Sequence, residues 1–419
     1  MSKVLNIGRL RIDLRPKQAE KDNAGNWWYF NEIIGSILSG NGKLDKDNAF
    51  LLALSVAEIF YPIDMIADRV ASLPYVKVNK NMEIVDFSQQ EERLLKNPNI
   101  FTTGEQLIYA LVFSELADGN SYLYTKLPDS YRTVTTDRIS SLWCLRPDNV
   151  SIAYKGRFPD LYSTTKKSDI IDHYSDGNGL KADPDRVIHN INMPFTVEEG
   201  LNLKGKSPLC SVERNVNNLL AVYNARYNVY SNNGIAGIIS KEKGGVNGDL
   251  EQSLNPTTRK EIADELMDDY NLTGSGNIKA ITSVPVKFIK TLATISELEP
   301  FRETFADASQ IAGIYGVVKE LLPREDNTTF NNQRDAEKFL WQNRVKGIAE
   351  DIGKTLTKAL AITDGEIVPV FDDVEVLQTD RKESLEADGI ELDNYKKMQE
   401  LGLDISDLAT EIKKKYEKS

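Results

Sequence analysis

The segment from Ser207 to Gly234 most constrains how this chain of 419 residues can fold, because its apolar side chains recur every three or four positions. That spacing predicts an amphipathic α-helix. Ser207 is a suitable N-cap, Pro208 suits the first helical position, and Gly234 suits a left-handed cap at the end. The apolar positions are Leu209, Val212, Val216, Leu219, Tyr223, Tyr227 and Tyr230. The fold must therefore accommodate a rod about 35 Å long.

Two further helices are predicted downstream, over 296–315 and 332–362. Ser296 and Glu299 form a capping-box pattern at the start of the first. The second has an apolar face from Trp341 to Ala359. Between them, "VVKELLPREDNTTFNNQ" carries a proline, a cluster of charges and a run of Asn and Thr. A polar interruption of about fifteen residues inside a compact domain is usually functional or disordered.

Residues 47–206 predict a mixed α+β domain. An apolar helix runs from Asp47 to Val70, and Pro62 predicts a kink or break within it. Strand patterns follow, with a helix over Thr103–Ala117 among them. The strand candidates are "SLPYVKVNK", "NSYLYTKL", "SLWCLRPDNVSIAY" and "DRVIHNIN". Residues 235–295 predict a smaller domain of short strands and Gly-rich turns, and "EIVPVFDDVEVL" predicts one late strand.

The two ends of the chain differ from the rest. Residues 1–46 are largely polar and rich in Gly and Asn, with an apolar aromatic run at Trp27, Trp28, Tyr29 and Phe30, which suggests an arm that docks on another surface. Local packing is the simpler interpretation of that run. The tail after Arg381 predicts amphipathic helices. From Ile362 to Ser419 there are sixteen acidic and eight basic residues, a net of -8 out of -12 for the whole chain.

The composition is that of an ordinary soluble protein, and the sequence contains no recognisable catalytic motif. There is no phosphate-binding glycine loop, no nucleophile elbow and no CxxC pair, and the only cysteines are Cys144 and Cys210. Both histidines, His173 and His189, are expected to be structural, and no apolar run is long enough to span a bilayer. A net charge of -12 argues against tight wrapping of nucleic acid. We therefore expect a structural protein without catalytic residues, cofactor or metal.

One alternative keeps an enzymatic function open. Adjacent carboxylates occur at Asp268–Asp269 and at Asp372–Asp373. Such pairs can hold Mg²⁺ in a nuclease. Neighbouring acids also arise by chance, so this hypothesis requires the pairs to meet in space.

Four stretches in order resemble the phage portal proteins, the head–tail connectors of long-tailed phages. They are "IADRVASLPYVKV" (66–78), "LADGNSYLYTK" with "LRPDNVSI" (116–126 and 145–152), "GKSPL…YNVYSNNGIAGII" (205–239) and "ASQIAGIYGVVKELL…TTFNNQRDAEKFLWQNRVKGIAEDIGKTL" (308–356). The family often has Val-Pro after the glycine that ends the second long helix. Here the proline is displaced to Pro323, which leaves the geometry of that turn open.

The resemblance implies an α+β portal fold assembled as a ring of about twelve subunits around a channel for double-stranded DNA. Its implied partners are the terminase large subunit, a head–tail adaptor and the major capsid or scaffold protein, with no membrane. Its implied location is one capsid vertex of a virion made in the bacterial cytoplasm. The implied parts are an N-terminal arm (1–46), a wing (47–206), a first stem helix (207–234), a clip (235–295), a second stem helix (296–315), a channel loop (316–331), a long helix (332–362) and a C-terminal strand with an acidic helical crown (363–419).

The resemblance also places the polar interruption in the channel, where it would face moving DNA. The implied DNA-facing residues are Lys319, Arg324, Asn327, Thr328, Thr329, Asn331, Asn332 and Arg334. A plain surface loop is the competing interpretation. A different ring-forming protein of the phage neck is another, although it would lack the stem–clip–stem order over 207–315.

Overall fold

The computed structural model describes residues 49–128, 130–131, 133–155, 166–192, 203–231, 237–241, 257, 286–290, 300–323 and 330–378, and the strands at 4–7 and 10–13. Its helices are α1 (Ala49–Ser55), α2 (Ala57–Ala71), α3 (Gln89–Lys96), α4 (Gly104–Asp118), α5 (Lys167–Ile170), α6 (Glu213–Ser231), α7 (Pro300–Ile314), α8 (Phe330–Leu340) and α9 (Lys346–Ala359). A π-helical turn, Trp341–Val345, joins α8 to α9 in one continuous rod.

Short antiparallel sheets accompany these helices. The strands are β1 (Val4–Ile7), β2 (Leu10–Asp13), β3 (Tyr75–Asn79), β4 (Ile84–Val85), β5 (Asn120–Lys126), β6 (Ser141–Leu145), β7 (Ser151–Tyr154), β8 (Ile171–Ser175), β9 (Lys181–Ala182), β10 (Val187–Ile191), β11 (Gly237–Lys241), β12 (Val286–Lys290) and β13 (Gly365–Pro369). Three sheets have three strands each, in the orders β13-β3-β4, β10-β5-β6 and β7-β8-β9. Two ribbons, β1-β2 and β11-β12, complete the described sheets. This mixture of helices and antiparallel strands confirms the predicted α+β class.

The prediction of a break at Pro62 is wrong. The helix breaks at Val56, whose backbone is extended at φ -106° and ψ 114°. Pro62 instead lies inside α2, where it is buried. A proline lacks the N–H that would bond to the carbonyl four residues earlier. In α2 that carbonyl belongs to Glu58, and the helix continues past Pro62 without it.

Local caps explain where two of the wing helices begin. Ser88 Oγ accepts a hydrogen bond from Glu91 N, while Glu91 Oε2 accepts one from Ser88 N at 2.7 Å. Thr103 and Gln106 form the same reciprocal box at the start of α4. Each box satisfies two backbone N–H groups that the helix itself leaves unpaired. α4 then ends at Gly119, in the left-handed region at φ 86°.

One hydrophobic core joins the wing to the long helices. It contains the apolar faces of α2 and α4 and that of the α8–α9 rod. The start of α6 and the 3-10 turn before it, Pro208–Val212, also enter it through Val216 and Leu209. The end of α7 and the residue after it enter through Ile311 and Tyr315. A second, smaller cluster surrounds Tyr122 and Tyr174 beside the other sheets. Both long helices are therefore fixed at one end in the core of the wing.

The late strand belongs to the first sheet. β13 pairs antiparallel with β3, with Ile367 opposite Lys77 and Pro369 opposite Tyr75. The long helix α9 packs against β13, and a Cβ at Gly353 would lie 2.4 Å from the carbonyl oxygen of Ile367. A chain segment that the sequence grouped with the C-terminal crown thus completes the sheet of the wing.

Within the described residues, no single helix is long and apolar enough to span a membrane. The bent pair α1 and α2, at 93° to each other, passes that test when taken together, by length and composition only.

Candidate DNA-channel segment

The second stem helix ends in a Schellman turn at Gly316. Gly316 has φ 78°, in the left-handed region that glycine adopts without strain. Val317 N donates to Ala312 O at 3.1 Å, and Gly316 N donates to Gly313 O at 3.0 Å. These two bonds satisfy carbonyls that the end of the helix leaves free. The turn therefore needs no Val-Pro, which resolves the geometry that the displaced Pro323 left open.

The chain stays attached to the core for several residues after this turn. Val317 is fully buried, and Leu322 is 8% exposed. Between them lies one 3-10 turn, Lys319–Leu321. The predicted loop over 316–331 is therefore too long at its first end, because residues through Leu322 pack on the core.

The predicted loop is also too long at its second end. α8 begins at Phe330, so Asn331, Asn332 and Arg334 lie in the first turns of a helix. Lys319, Asn332 and Arg334 are exposed. Arg324, Asn327, Thr328 and Thr329 lie outside the described residues. Of the predicted loop, only residues 324–329 lie between the segment that ends at Pro323 and the start of α8.

The start of the long rod is tied to the wing by an ion pair. Arg69 Nη2 on α2 lies 2.9 Å from Glu337 Oε1 on α8. Both side chains are about one-quarter to one-third exposed, at 22% and 35%. An exposed pair of this kind contributes about 1 kcal/mol or less. Its main effect is to orient the first turns of α8, which carry Asn332 and Arg334.

Arg344, which the sequence analysis missed, lies in the π turn beside Gly316. A Cβ at Gly316 would lie 3.6 Å from the Cβ of Arg344. Arg344 Nε is buried with no hydrogen-bond partner among the described residues, as is the hydroxyl of Tyr315. Burial raises the pKa of Glu115 on α4, the charge of Asp351 raises it further, and Arg344 opposes both. The sequence signal for this residue is its position, since Arg344 is a cation between the apolar residues Trp341 and Val345.

The joint between the wing and the first stem helix is a close approach of two backbone segments. Gly205 N donates to Asn120 Oδ1 at 2.6 Å, and Asn120 Nδ2 donates to Gly205 O at 3.2 Å. A Cβ at Gly205 would lie 2.3 Å from Gly119 O, and one at Gly119 would lie 2.3 Å from Lys206 O. Ser207 Oγ adds a hydrogen bond to Ala117 O. The stretches "LADGN" and "GKSP" thus meet in space, which explains why both need glycine.

His189 is a structural histidine in this joint. Its Nε2 lies 2.9 Å from Asn120 Oδ1, and its ring stacks on Tyr122 with centroids 4.3 Å apart. Burial, with the charges of Lys167 and Lys204, lowers its pKa to about 3. A neutral imidazole that donates from Nε2 fits this site, because Asn120 Oδ1 can only accept.

Polar contacts attach the stem helices to each other and to the wing. Asn215 Nδ2 on α6 donates to Asp307 Oδ1 on α7 at 2.8 Å. The Tyr223 hydroxyl, also on α6, donates to Glu58 Oε1 on α2. α6 and α7 therefore pack together, and the strands β11 and β12 come between them in the sequence.

The carboxylate pairs of the nuclease hypothesis gain no support as a metal centre. Asp372 and Asp373 are exposed in the turn after β13, and Asp268 and Asp269 lie outside the described residues. No group of three or more His, Cys, Asp or Glu side chains suited to a metal ion occurs in the described part of the chain.

Comparison with known proteins agrees with this architecture. The family model described as phage portal protein matches residues 57–392. A chain from the neck of the native GTA particle, computed with C12 symmetry, is 19% identical, with a TM-score of 0.54 and coverage of 89% of this chain and 99% of that one. A chain from the virion of the native gene transfer agent particle is 18% identical, with a TM-score of 0.55 over 89% and 99%.

A third structure, an HK97 family phage portal protein from Corynebacterium diphtheriae, is 12% identical with a TM-score of 0.50, over 76% of this chain and 93% of that one. No curated protein matches. The likeness to solved structures supports the fold, and the family model spans most of the chain. The chain is therefore a member of the phage portal protein family.

Proposed function

We propose that this portal protein forms a ring of about twelve subunits at one capsid vertex, through which double-stranded DNA enters and leaves the head. The carrying observation is the family match over 57–392. The order of elements supports it: a long helix, a returning ribbon, a second long helix, a fixed turn and a third long rod. The neck chain that the fold resembles was itself solved with C12 symmetry.

The ribbon supports a clip between two stem helices. β11 and β12 pair in register from Gly237 opposite Lys290 to Lys241 opposite Val286. The two ends of the segment between the stem helices therefore lie side by side. We assign residues 235–295 to the clip, the docking site for the terminase large subunit and the head–tail adaptor. The major capsid or scaffold protein would contact the wing.

The DNA-facing surface, in this proposal, is the short segment 324–329 with its flanks. Lys319 and the start of α8, with Asn332 and Arg334, lie exposed on either side of it. A few cations touch phosphates without reading sequence, and the neighbouring acids Glu320, Glu325 and Asp326 limit the attraction. The chain itself is non-catalytic here, and ATP hydrolysis belongs to the terminase motor.

Negative-stain images of the purified chain test the ring directly. Rings with a central hole are expected, and light scattering should give a mass near twelve times 47.1 kDa. Monomer at every protein and salt concentration would overturn the proposal. Incubation of rings with DNA and Mg²⁺ tests the non-catalytic part, because cleavage that Asp372→Asn and Asp373→Asn abolish would restore the nuclease hypothesis.

Shortening the clip tests its partners. Because Lys241 and Val286 are paired neighbours, a four-residue Gly/Ser turn can replace residues 242–285 and still close the ribbon. The variant should form rings and lose binding to both terminase and adaptor. Retained binding of both would place their docking site elsewhere.

A further inference from the structure

An exposed apolar surface lies between the first three-stranded sheet and two helices, α3 and α4. A groove of about 480 Å³ runs between the β3–β4 hairpin, α3 and the first turns of α4. Its wall is mainly apolar and includes Ile84, Val85, Phe87, Leu95 and Ile108. Ile84 is nevertheless 73% exposed. We call the groove and the hairpin side chains at its edge the hairpin groove.

Two loops that adjoin groove-lining residues in sequence carry large, mostly exposed apolar side chains. Met82 in the hairpin turn is 70% exposed. Ile100 and Phe101, just before α4, are 86% and 76% exposed. Isolated exposed apolar residues are normal, but several large ones around one apolar groove mark an interaction surface.

Both loops are fixed in place by an asparagine side chain. Asn79 Oδ1 accepts hydrogen bonds from Asn81 N and Glu83 N, at 2.8 and 3.0 Å, and Met82 has φ 62°. Asn99 Oδ1 accepts from Phe101 N and Thr102 N, both at 2.9 Å. The apolar side chains are thus displayed by rigid loops, and a rigid display reduces the entropy lost on binding.

The sequence holds a matching apolar segment, "WWYFNEIIGSIL", Trp27–Leu38. Eight of its twelve residues are large and apolar, and Glu32 is its only charge. Phe30, Ile33, Ile34, Ile37 and Leu38 follow steps of three and four. That spacing is the pattern of a helix that lays one apolar face into a groove.

The chain between this apolar segment and α1 is long enough for the segment to reach the hairpin groove, and α1 begins near the groove. Phe50, at the start of α1, packs its ring against Phe113 of α4 at 6.1 Å. Phe113 is five residues along α4 from Ile108, which lines the groove, a rise of about 7.5 Å. The 10 residues from Ser39 to Asn48, between that segment and α1, can extend up to about 35 Å. We propose that Trp27–Leu38 docks in the hairpin groove of its own chain.

A disulfide placed across the proposed contact tests it. Phe30→Cys with Ile84→Cys should oxidise to an intrachain link in the full chain, seen as an arm peptide joined to a hairpin peptide by mass spectrometry. The matched control pairs Phe30→Cys with Asp172→Cys, an exposed position on β8 in another sheet, and should link at least about tenfold less. Equal linking at both positions, or none at either, would overturn the proposal. A covalent dimer would show that a second copy's arm fills the groove instead.

Proteolysis gives a second, independent readout. Trypsin has no site between Lys21 and Lys43, so cleavage at these two flanks reports release of the segment. Ile84→Asp with Phe101→Asp changes two exposed residues and should speed this cleavage about tenfold or more. Phe339→Asp, an exposed apolar position on α8, is the control and should leave the rate unchanged. Equal rates in all three proteins would show that the groove does not hold the arm. Neither experiment depends on ring formation.

Discussion

Asn120 and Gly205 hold each other through two hydrogen bonds across 85 positions of sequence. The amide side chain of Asn120 bonds to Gly205 as the backbone of a neighbouring strand would. Its Oδ1 accepts from Gly205 N, and its Nδ2 donates to Gly205 O. This contact joins the end of α4 to the segment that starts the first stem helix. One side chain and two glycines therefore hold the end of α4 against the segment that leads into α6.

Gly205→Ala should destabilise the wing by about 2–3 kcal/mol, because a Cβ there would lie 2.3 Å from Gly119 O and 2.4 Å from Asn192 O. Backbone atoms on both sides prevent relief by a rotamer change. Urea unfolding followed by circular dichroism measures the difference. Gly347→Ala, at a helical glycine with nothing within 4 Å, is the matched control and should stabilise by about 0.5–1 kcal/mol. Equal midpoints for the two variants would refute the close approach.

The same joint should make stability depend on pH through His189. Its pKa is about 3 when folded and 6.5 when unfolded. Below pH 6.5 the unfolded chain binds a proton that the folded chain does not, so stability is complete above that value and is lost as pH falls toward 3. The loss approaches about 1.4 kcal/mol per pH unit inside that window. Urea titrations at pH 7 and pH 5 should show this slope in the wild type and a smaller one in His189→Gln. His173→Gln tests whether the slope belongs to position 189, and an unchanged slope in His189→Gln would refute the assignment.

The sequence predicts the local elements well and their long-range contacts poorly. Thr103 and Ser207 are caps by residue type alone, and the strand at 75–79 follows from its alternation. Nothing local shows that β13 pairs with β3, or that Asn120 binds Gly205, because those contacts join distant parts of the chain. The sequence marks Pro62 as the break, whereas the helix is interrupted at Val56, where no local sequence signal predicts it.

In the candidate site, too, the local features follow from the sequence and the long-range contacts do not. Gly316 directly follows the helix predicted over 296–315, and the resemblance to portal proteins places a glycine at the end of that helix. Val317 and Leu322 are buried by contacts from elsewhere, so the loop boundaries were set too wide. Nothing in the sequence assigns Arg344 a neighbour, and only the fold brings it against Gly316.

Lys77 and Glu91 form an almost fully buried ion pair that offers a third test. Their exposed fractions are 5% and 4%, and Lys77 Nζ lies 3.2 Å from Glu91 Oε1. Burial opposes the charge on Lys77, yet hydrogen bonds to Asp364 and Glu91 raise its pKa overall. Lys77→Met leaves a buried carboxylate unpaired and should cost about 3 kcal/mol of unfolding free energy. Adding Glu91→Gln, which can still accept from Ser88 N, should recover more than half of that loss. Simple additivity of the two changes would mean that the pair is not coupled.

Gly316→Ala tests the turn that ends the second stem helix. The substitution places a Cβ in the left-handed region and should cost about 1 kcal/mol. Gly313→Ala, three residues earlier in the same helix and open on all sides, should be neutral or stabilising. Thermal unfolding of the two variants separates them. If Gly316→Ala were the more stable, the Schellman turn would be absent in solution.

The last prediction concerns residues 324–329, between the core-bound exit through Leu322 and the start of α8. Replacing these six residues by Gly and Ser of equal length keeps Leu322 in the core and Glu337 paired with Arg69, so ring assembly should be unchanged by negative stain. The replacement removes Arg324, Glu325 and Asp326 together, and packaged DNA per head should fall. A second variant, Lys319→Ser with Arg334→Ser, removes cations while keeping the segment. Its weaker phosphate attraction should appear as lower DNA retention at high salt, since each lost contact reduces the salt-dependent part of binding. Full packaging by both variants would show that this segment does not act on DNA. Loss of the ring in the first variant alone would show that it is a structural joint between two helices.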